Sequence, residues 1–169
     1  MNIVIGSGRD DVALLLLPRG ADPNFQGHDN ALFPIQTAVK TKNARAVEYL
    51  TEHKANLDNR NIMTGTALIM AVEVSNEDLV NLLLDKGANI HASGDRSDGT
   101  PLNTALRFDN NHFAKLLLDR GADPNIQGDM NALFHLQMAV YRNNKEAVAF
   151  LLEKGARTDL KMLLEPLPH

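Results

Sequence analysis

A repeat of 33 or 34 residues runs through this sequence and constrains its fold more than any other feature. Residues 19–39, RGADPNFQGHDNALFPIQTAV, return at 120–140 as RGADPNIQGDMNALFHLQMAV. Weaker copies lie between them, and one shared position is occupied by Ala21, Ala55, Ala88, Ala122 and Ala156. A second position keeps the same step, at Ala38, Ala71, Ala105 and Ala139. Two markers in one period predict a row of stacked, similar units.

Each unit is predicted to contain two helices joined by a tight turn. In LVNLLLDKG (79–87) and FAKLLLDRG (113–121), leucines at three- and four-residue steps line one helix face. Gly87, Gly121 and Gly155 follow these stretches, where a left-handed backbone at the helix end would favour glycine. Thr100 suits the N-cap of the shorter helix, and Pro101 suits its first turn. We interpret the leucine stripes as core that each unit buries against its neighbours, rather than as a membrane or partner-helix face.

The composition narrows the class of protein. A chain of 169 residues is expected to form a single domain, and only 5% of its residues are aromatic, which favours helices over a sheet core. The formal net charge of −4 gives no general attraction for nucleic acid or anionic lipid. No apolar run approaches the roughly 20 residues of a membrane helix, and the absence of cysteine suits a reducing cytoplasm. We therefore expect a cytoplasmic protein without nucleic-acid or membrane partners.

Motifs for catalysis or for cofactors are sparse. Gly6-Ser7-Gly8 could begin a nucleotide-binding loop, but a dinucleotide fingerprint would need a third glycine where Asp11 stands. The repeat instead places these glycines at the turn between the two helices of the first unit. The six histidines form no metal-ligand pattern and are interpreted as separate loop and helix-surface residues. We expect no catalytic, cofactor-binding or metal-binding residues, with a nucleotide site or enzyme at Gly6–Gly8 as the alternative.

The repeat resembles the ankyrin-repeat family, whose motif joins Thr-Pro-Leu-His-x-Ala to Leu-Leu-x-x-Gly-Ala-Asp-x-Asn. TPLNTA (100–105) with LLDRGADPN (117–125) matches it best in this chain. The resemblance implies an all-α ankyrin-repeat solenoid of stacked helix-turn-helix units that forms one domain over residues 1–169. About five units are expected, the first of them incomplete, at 1–24, 25–58, 59–91, 92–125 and 126–159, followed by a cap or tail at 160–169.

Several positions depart from that motif. The histidine of the motif is replaced by Gln36, Ile69, Asn103 and Gln137, and Ile69 cannot make the corresponding side-chain hydrogen bond. Lys54 replaces the glycine that ends the second helix, at a cost of about 1 kcal/mol if the backbone there is left-handed. The Asn-Ala-Leu that precedes FPIQ and FHLQ also fits Thr-Pro-Leu, so an earlier start of those first helices stays open.

The resemblance implies a non-catalytic protein–protein interaction scaffold, expected to be a monomer. Its partner protein or peptide would contact loop tips and the concave surface formed by the first helices. Aromatic, Met and Arg side chains are enriched at such contacts. The candidate contact residues are Arg60, Met63, Glu73, Asp95, Arg96, Arg107, Phe108, Met130, Tyr141 and Arg142. A structural or regulatory fragment of a larger ankyrin-containing protein is a further alternative.

Overall fold

The computed structural model describes residues 16–27, 31–94, 99–126 and 134–158. A short 3-10 helix, Leu17–Arg19, is followed in these residues by eight α-helices: α1 (Pro34–Lys40), α2 (Ala44–Glu52), α3 (Ala67–Glu73), α4 (Glu77–Asp85), α5 (Pro101–Arg107), α6 (Asn111–Asp119), α7 (His135–Tyr141) and α8 (Lys145–Glu153). The isolated β-bridge between Asn61 and Gly65 is the sole extended pairing in the same residues. The predicted all-α fold class is therefore confirmed.

Helices of seven and nine residues alternate along the chain, so that each repeat contributes a short first helix and a longer second helix. We call α1–α2, α3–α4, α5–α6 and α7–α8 repeats 2 to 5. The chain divides into two compact units, Met1–Asn89 and Ile90–His169. In the first unit α1 packs against α2 and α3, and α2 packs against α4. In the second unit α5 packs against α6 and α7, and α6 packs against α8, so the two repeats within each unit contact each other.

Leucine stripes of the second helices form the core, as predicted. Equivalent residues of these four helices, each 2% exposed or less, are Leu50, Leu83, Leu117 and Leu151. The opposite face of α6 carries the exposed Lys115 and Asp119. First helices are more fully enclosed, because each packs against its own second helix and against the other first helix of its unit. Leu68 and Ile69 of α3, for example, have no exposed surface.

The tight turn between the two helices of a repeat has the same construction four times. Its first residue is left-handed, with φ between 50° and 55°, at Lys42, Ser75, Asp109 and Asn143. The next residue is an asparagine whose side-chain oxygen accepts a backbone N–H three residues later at 2.9–3.3 Å, at Asn43, Asn76, Asn110 and Asn144. These caps satisfy donors that the helix start leaves unpaired. The equivalent turn predicted at Gly6–Gly8 lies outside the described residues.

The first helices begin at two kinds of cap. Thr66 and Thr100 accept a backbone N–H through their side-chain oxygens, which confirms Thr100 as an N-cap and Pro101 as a first-turn residue. Phenylalanine occupies the cap position in repeats 2 and 5, and its side chain has no atom that can accept the backbone N–H. There the glutamine three residues later accepts the phenylalanine N–H at 3.0 Å instead, in the pairs Phe33–Gln36 and Phe134–Gln137.

These caps also settle the register that the sequence left open. The helices begin at Pro34 and His135, so FPIQ and FHLQ occupy the place of Thr-Pro-Leu-His. Residues 31–33 precede α1 in a non-helical conformation, and the earlier start considered for α1 is therefore wrong. For repeat 5 the residues 131–133 lie outside the described part of the chain, but α7 likewise begins at His135.

Lys54 ends α2 in the conformation that the motif reserves for glycine. Its φ is 63°, whereas the glycine at the same place after α4, Gly87, has a φ of 91°. The backbone at Lys54 is therefore left-handed, which is the condition under which a cost was predicted. A side chain with a Cβ is held in a left-handed backbone that costs on the order of 1 kcal/mol relative to glycine.

Candidate binding surface

Half of the predicted contact residues lie where a first helix ends. The last helical residues are Lys40, Glu73, Arg107 and Tyr141, and the C-cap residues that follow them are Thr41, Val74, Phe108 and Arg142. These two series occupy equivalent positions in the four repeats. In the first unit they are polar or small, and in the second unit each repeat contributes one aromatic and one arginine side chain.

We call Arg107, Phe108, Tyr141 and Arg142 the turn cluster. Phe108 is 59% exposed and Tyr141 is 64% exposed, which are large values for aromatic side chains. The helices that end in these residues, α5 and α7, pack against each other. The sequence order of the two residue types is reversed between the repeats, because Arg107 is equivalent to Tyr141 and Phe108 to Arg142. The second unit therefore presents aromatic side chains at two neighbouring turns.

A forked ion pair ties these two turns together. The Nη2 atom of Arg142 donates to Oδ2 of Asp109 at 2.6 Å, and its Nε atom donates to Oδ1 at 3.3 Å. This hydrogen bond lowers the pKa of the Asp109 carboxyl and raises the pKa of the Arg142 guanidinium. Asp109 is the left-handed residue of its turn, so the tight turn of repeat 4 contacts the arginine of repeat 5. Arg142 therefore has a positioning contact in addition to its predicted partner contact.

The other arginine of the turn cluster lies over an aromatic ring. Arg107 Cζ is 4.9 Å from the centre of the Phe108 ring. This distance permits a cation–π attraction, which restricts how both side chains move. The Phe108 backbone N–H also donates to the Thr104 carbonyl at 3.2 Å. The exposed ring therefore has a cation on one face, and the backbone that carries it is fixed by a helical hydrogen bond.

Two further candidates, Arg60 and Met63, lie on the loop that precedes α3. Met63 is 53% exposed at the tip of this loop, and the neighbouring Ile62 is exposed as well. Buried Asn61 fixes the tip, because its side chain donates to the Ala31 carbonyl at 2.8 Å and accepts the Met63 N–H at 2.8 Å. The loop therefore offers an apolar tip on a well-anchored base.

The structure does not gather all of the predicted contact residues into one group. Arg60 and Met63 precede α3, whereas Glu73 is its last residue. Seven helical residues span about 10 Å, so loop tips and turns lie at opposite ends of the first helix. Asp95, Arg96 and Met130 lie outside the described residues. The turn cluster includes residues of both repeats of the second unit, and its Arg142 contacts Asp109 of the preceding repeat.

One buried histidine was missed by sequence reasoning. His135 is only 1% exposed, so its interpretation as a loop or helix-surface residue was wrong. Its Nδ1 lies 2.9 Å from the Pro124 carbonyl oxygen, and its Nε2 lies 3.0 Å from Thr100 Oγ1. Burial lowers its pKa to about 4. The available signal was that His135 stands where the other copy of the segment has Pro34.

Among the described helices, none combines the length and the apolar character that a bilayer-spanning segment requires. Within the same residues, no three His, Asp or Glu side chains converge in a way that could hold a metal ion. The described polar clusters are instead ion pairs and amide pairs between neighbouring repeats, such as Lys115 Nζ to Glu146 Oε1 at 2.6 Å.

The sequence was compared with models of known protein families. The family model described as ankyrin repeats (3 copies) matches residues 1–94 and 91–162, which together cover most of the chain. The paired helices, the left-handed helix ends and the 33- or 34-residue step all agree with that match. This chain belongs to the ankyrin-repeat family.

Individual relatives match over shorter stretches. The human transient receptor potential cation channel subfamily A member 1 is 37% identical over 76 residues, which are 43% of this chain and 6% of the channel. An ankyrin repeat-containing protein of Treponema pallidum (strain Nichols) is 31% identical over 89 residues, which are 53% of this chain and 30% of that protein. The chain thus covers less than a third of the length of either relative.

Proposed function

We propose that this chain is a non-catalytic protein–protein interaction scaffold, and that the turn cluster is its main contact site for a partner protein or peptide. Ankyrin repeats are generally protein–protein interaction modules, and the family is typically non-enzymatic. The observation that carries the assignment of the site is the exposure of Phe108 and Tyr141 at neighbouring turns. Large aromatic side chains and arginine are the types most enriched at binding hot spots.

Restricted motion of the turn cluster supports this choice. Binding costs free energy when side chains that were mobile become fixed in the complex. Arg142 is already held by Asp109, and Phe108 is held by Arg107 and by its own backbone hydrogen bond. A partner would therefore meet a surface whose side chains have lost part of their freedom before binding.

The remaining candidates extend the proposed surface without defining it. Arg60 and Met63 would supply a second contact at the loop edge of the first unit, with Ile62 beside them. Glu73 would lie at the turn edge of that unit. Asp95, Arg96 and Met130 stay predictions from the repeat alone. We further propose that the chain acts as a monomer in the cytoplasm and does not bind nucleic acid, in keeping with its net charge of −4.

The test is capture of the partner by the intact chain and by two matched variants. One variant carries Phe108→Ala, Tyr141→Ala and Arg142→Ala. The control carries Lys40→Ala and Thr41→Ala, which are exposed residues at the equivalent turn of repeat 2. Proteins retained from an extract of the producing cells are identified by mass spectrometry, and their affinity is then measured with purified components.

We expect the triple variant to lose about tenfold or more in affinity, whereas the control binds as the unmodified chain does. Circular dichroism should show the same helix content for all three proteins, because none of the substituted residues is buried. Equal affinity of the triple variant and the control would remove the turn cluster from the contact site. Loss of binding in the control alone would move the site to the first unit.

A further inference from the structure

His135 occupies a position that is apolar in the other described repeats. It is the first residue of α7, and the equivalent residues are Pro34, Ala67 and Pro101. All four are buried. Only the histidine brings two polar ring atoms into this place, and both of them contact groups of repeat 4. The joint between repeats 4 and 5 therefore contains a titratable group that the joint at Pro34 lacks.

When the His135 ring is neutral, the Thr100 hydroxyl faces two acceptors and can donate to only one of them. The Pro124 carbonyl can only accept, so Nδ1 carries the ring proton and Nε2 must accept from Thr100 Oγ1. The same hydroxyl lies 2.9 Å from Asn103 Oδ1, which itself accepts the Thr100 backbone N–H. A hydroxyl has one hydrogen to donate, and two acceptors face it here.

Protonation of the His135 ring supplies the missing hydrogen without moving a heavy atom. With hydrogens on both nitrogens, Nε2 donates to Thr100 Oγ1 and the hydroxyl turns to donate to Asn103 Oδ1. The opposing effect is burial of a cation, and burial is what dominates the pKa of His135. Asp123 favours the cation and His91 disfavours it, and these are the charged groups of the described residues that act on the ring.

We propose that His135 is an acid-sensitive joint, at which protonation weakens the packing of α7 against α5 and opens repeat 5 before the first unit is affected. In repeat proteins each repeat is stabilised mainly by its neighbours, so a weakened joint favours local opening over global unfolding. Tyr141 and Arg142 lie at the other end of α7, so opening would also divide the turn cluster. This last consequence rests on the proposed function, whereas the joint itself does not.

The direction of the effect follows from the two pKa values. The folded-state pKa of His135 is about 4, below the ordinary value of 6.5, so the open state binds the proton more readily. Stability of the joint is complete above pH 6.5 and is lost as the pH falls toward 4. Between pH 6.5 and pH 5 the ratio of open to closed repeat 5 should rise about 15-fold. Ordinary carboxyl groups stay ionised over this range.

The test is hydrogen exchange of the intact chain at pH 6.5 and pH 5, without a partner, read by mass spectrometry and corrected for the intrinsic pH dependence of exchange. We expect residues 135–153 to lose protection by about 15-fold relative to residues 34–52. The variants His135→Gln and His135→Pro should not show the loss. The control His112→Gln, which changes an exposed histidine of α6, should keep it.

Two results would overturn the proposal. One is a parallel loss of protection in the unmodified chain and in His135→Gln or His135→Pro. The other is a side-chain NMR titration of His135 in the unmodified chain with a midpoint near 6.5, and this measurement decides the matter even if both variants fail to fold. Because no partner is present, neither result depends on whether the turn cluster binds one.

Discussion

Residues 19–39 and 120–140 are nearly the same sequence, yet a buried glutamine of the first copy and a buried histidine of the second contact neighbouring repeats on opposite sides. In the first copy, Gln36 is fully buried and its Nε2 donates forward to the carbonyls of Gly65 and Asn59, at 2.6 and 3.2 Å. In the second copy, His135 is the buried polar residue, and it contacts Thr100 of the preceding repeat. The histidine that stands in place of Pro34 thus gives the second copy a side-chain contact with the preceding repeat.

The largest expected difference between the copies concerns their glutamines. Gln36→Ile should lower the free energy of unfolding by about 3 kcal/mol, because it removes the side-chain donor to the Asn59 and Gly65 carbonyls and the acceptor of the Phe33 N–H. Isoleucine itself fits this position, as Ile69 shows in repeat 3. Gln137 is only half-buried, so Gln137→Ile should cost about 1 kcal/mol. Urea denaturation of both variants would measure this, and equal losses would contradict the forward anchor.

The next difference is the pH dependence that His135 gives to the second copy. Because its pKa is about 4 when folded and 6.5 in an unfolded chain, stability should fall by about 1.6 kcal/mol from pH 6.5 to pH 5. His135→Pro makes the second copy resemble the first, and it should remove this dependence. Thermal unfolding at three pH values compares the variant with His112→Gln, which should behave as the unmodified chain does. A slope unchanged in His135→Pro would assign it to other groups.

A smaller difference lies in the helix ends that the two copies contact. Asn24 accepts the Asn56 N–H next to Lys54, and Asn125 accepts the Arg157 N–H next to Gly155. Lys54→Gly should stabilise the chain by about 1 kcal/mol, since it relieves a left-handed backbone. Gly155→Lys should cost a similar amount, and a Cβ at Gly155 meets no atom within 4 Å, so strain alone is tested. Urea midpoints that move in the same direction would refute this explanation.

The smallest expected effect concerns those asparagines themselves. Asn24→Asp and Asn125→Asp keep the oxygen that accepts a backbone N–H and lose the donor to the carbonyl of Lys54 or Gly155. Asp58 shows that an aspartate serves as acceptor at this position, since it accepts the Asn89 N–H at 2.9 Å. Each change should cost about 0.5 kcal/mol, with the larger loss at Asn125, whose donated bond is shorter. If the strained helix end at Lys54 depends on Asn24, thermal melts of the two variants would instead show the larger loss for Asn24→Asp.

Much of the fold could be predicted because it depends on local pattern. The leucine stripes, the Thr100 cap and the left-handed helix ends each follow from residues within a few positions of one another. The tight turns were harder, because Lys42, Ser75, Asp109 and Asn143 share a backbone conformation and no side-chain type. Their asparagine caps recur at the repeat step, and that recurrence was the available signal.

The candidate surface was predictable by residue type and much less by arrangement. Chemistry alone marked Phe108 and Tyr141 as potential contacts, but their proximity depends on the packing of α5 against α7. The ion pair between Asp109 and Arg142 joins residues 33 positions apart, and sequence spacing within one repeat cannot show it. The burial of His135 was missed for the same reason, because Thr100 and Pro124 belong to the preceding repeat.

Two kinds of contact between neighbouring repeats have different evolutionary consequences. Gln36 and Asn125 hold the following repeat through its main-chain atoms, which every sequence supplies. Thr100 with His135, and Lys115 with Glu146, require particular side chains on both sides. Contacts to main-chain atoms tolerate duplication or exchange of a repeat by recombination, whereas contacts between two side chains restrict which repeat can follow. Repeat 5 is therefore matched to repeat 4, and transplanting it elsewhere in an array would break the match.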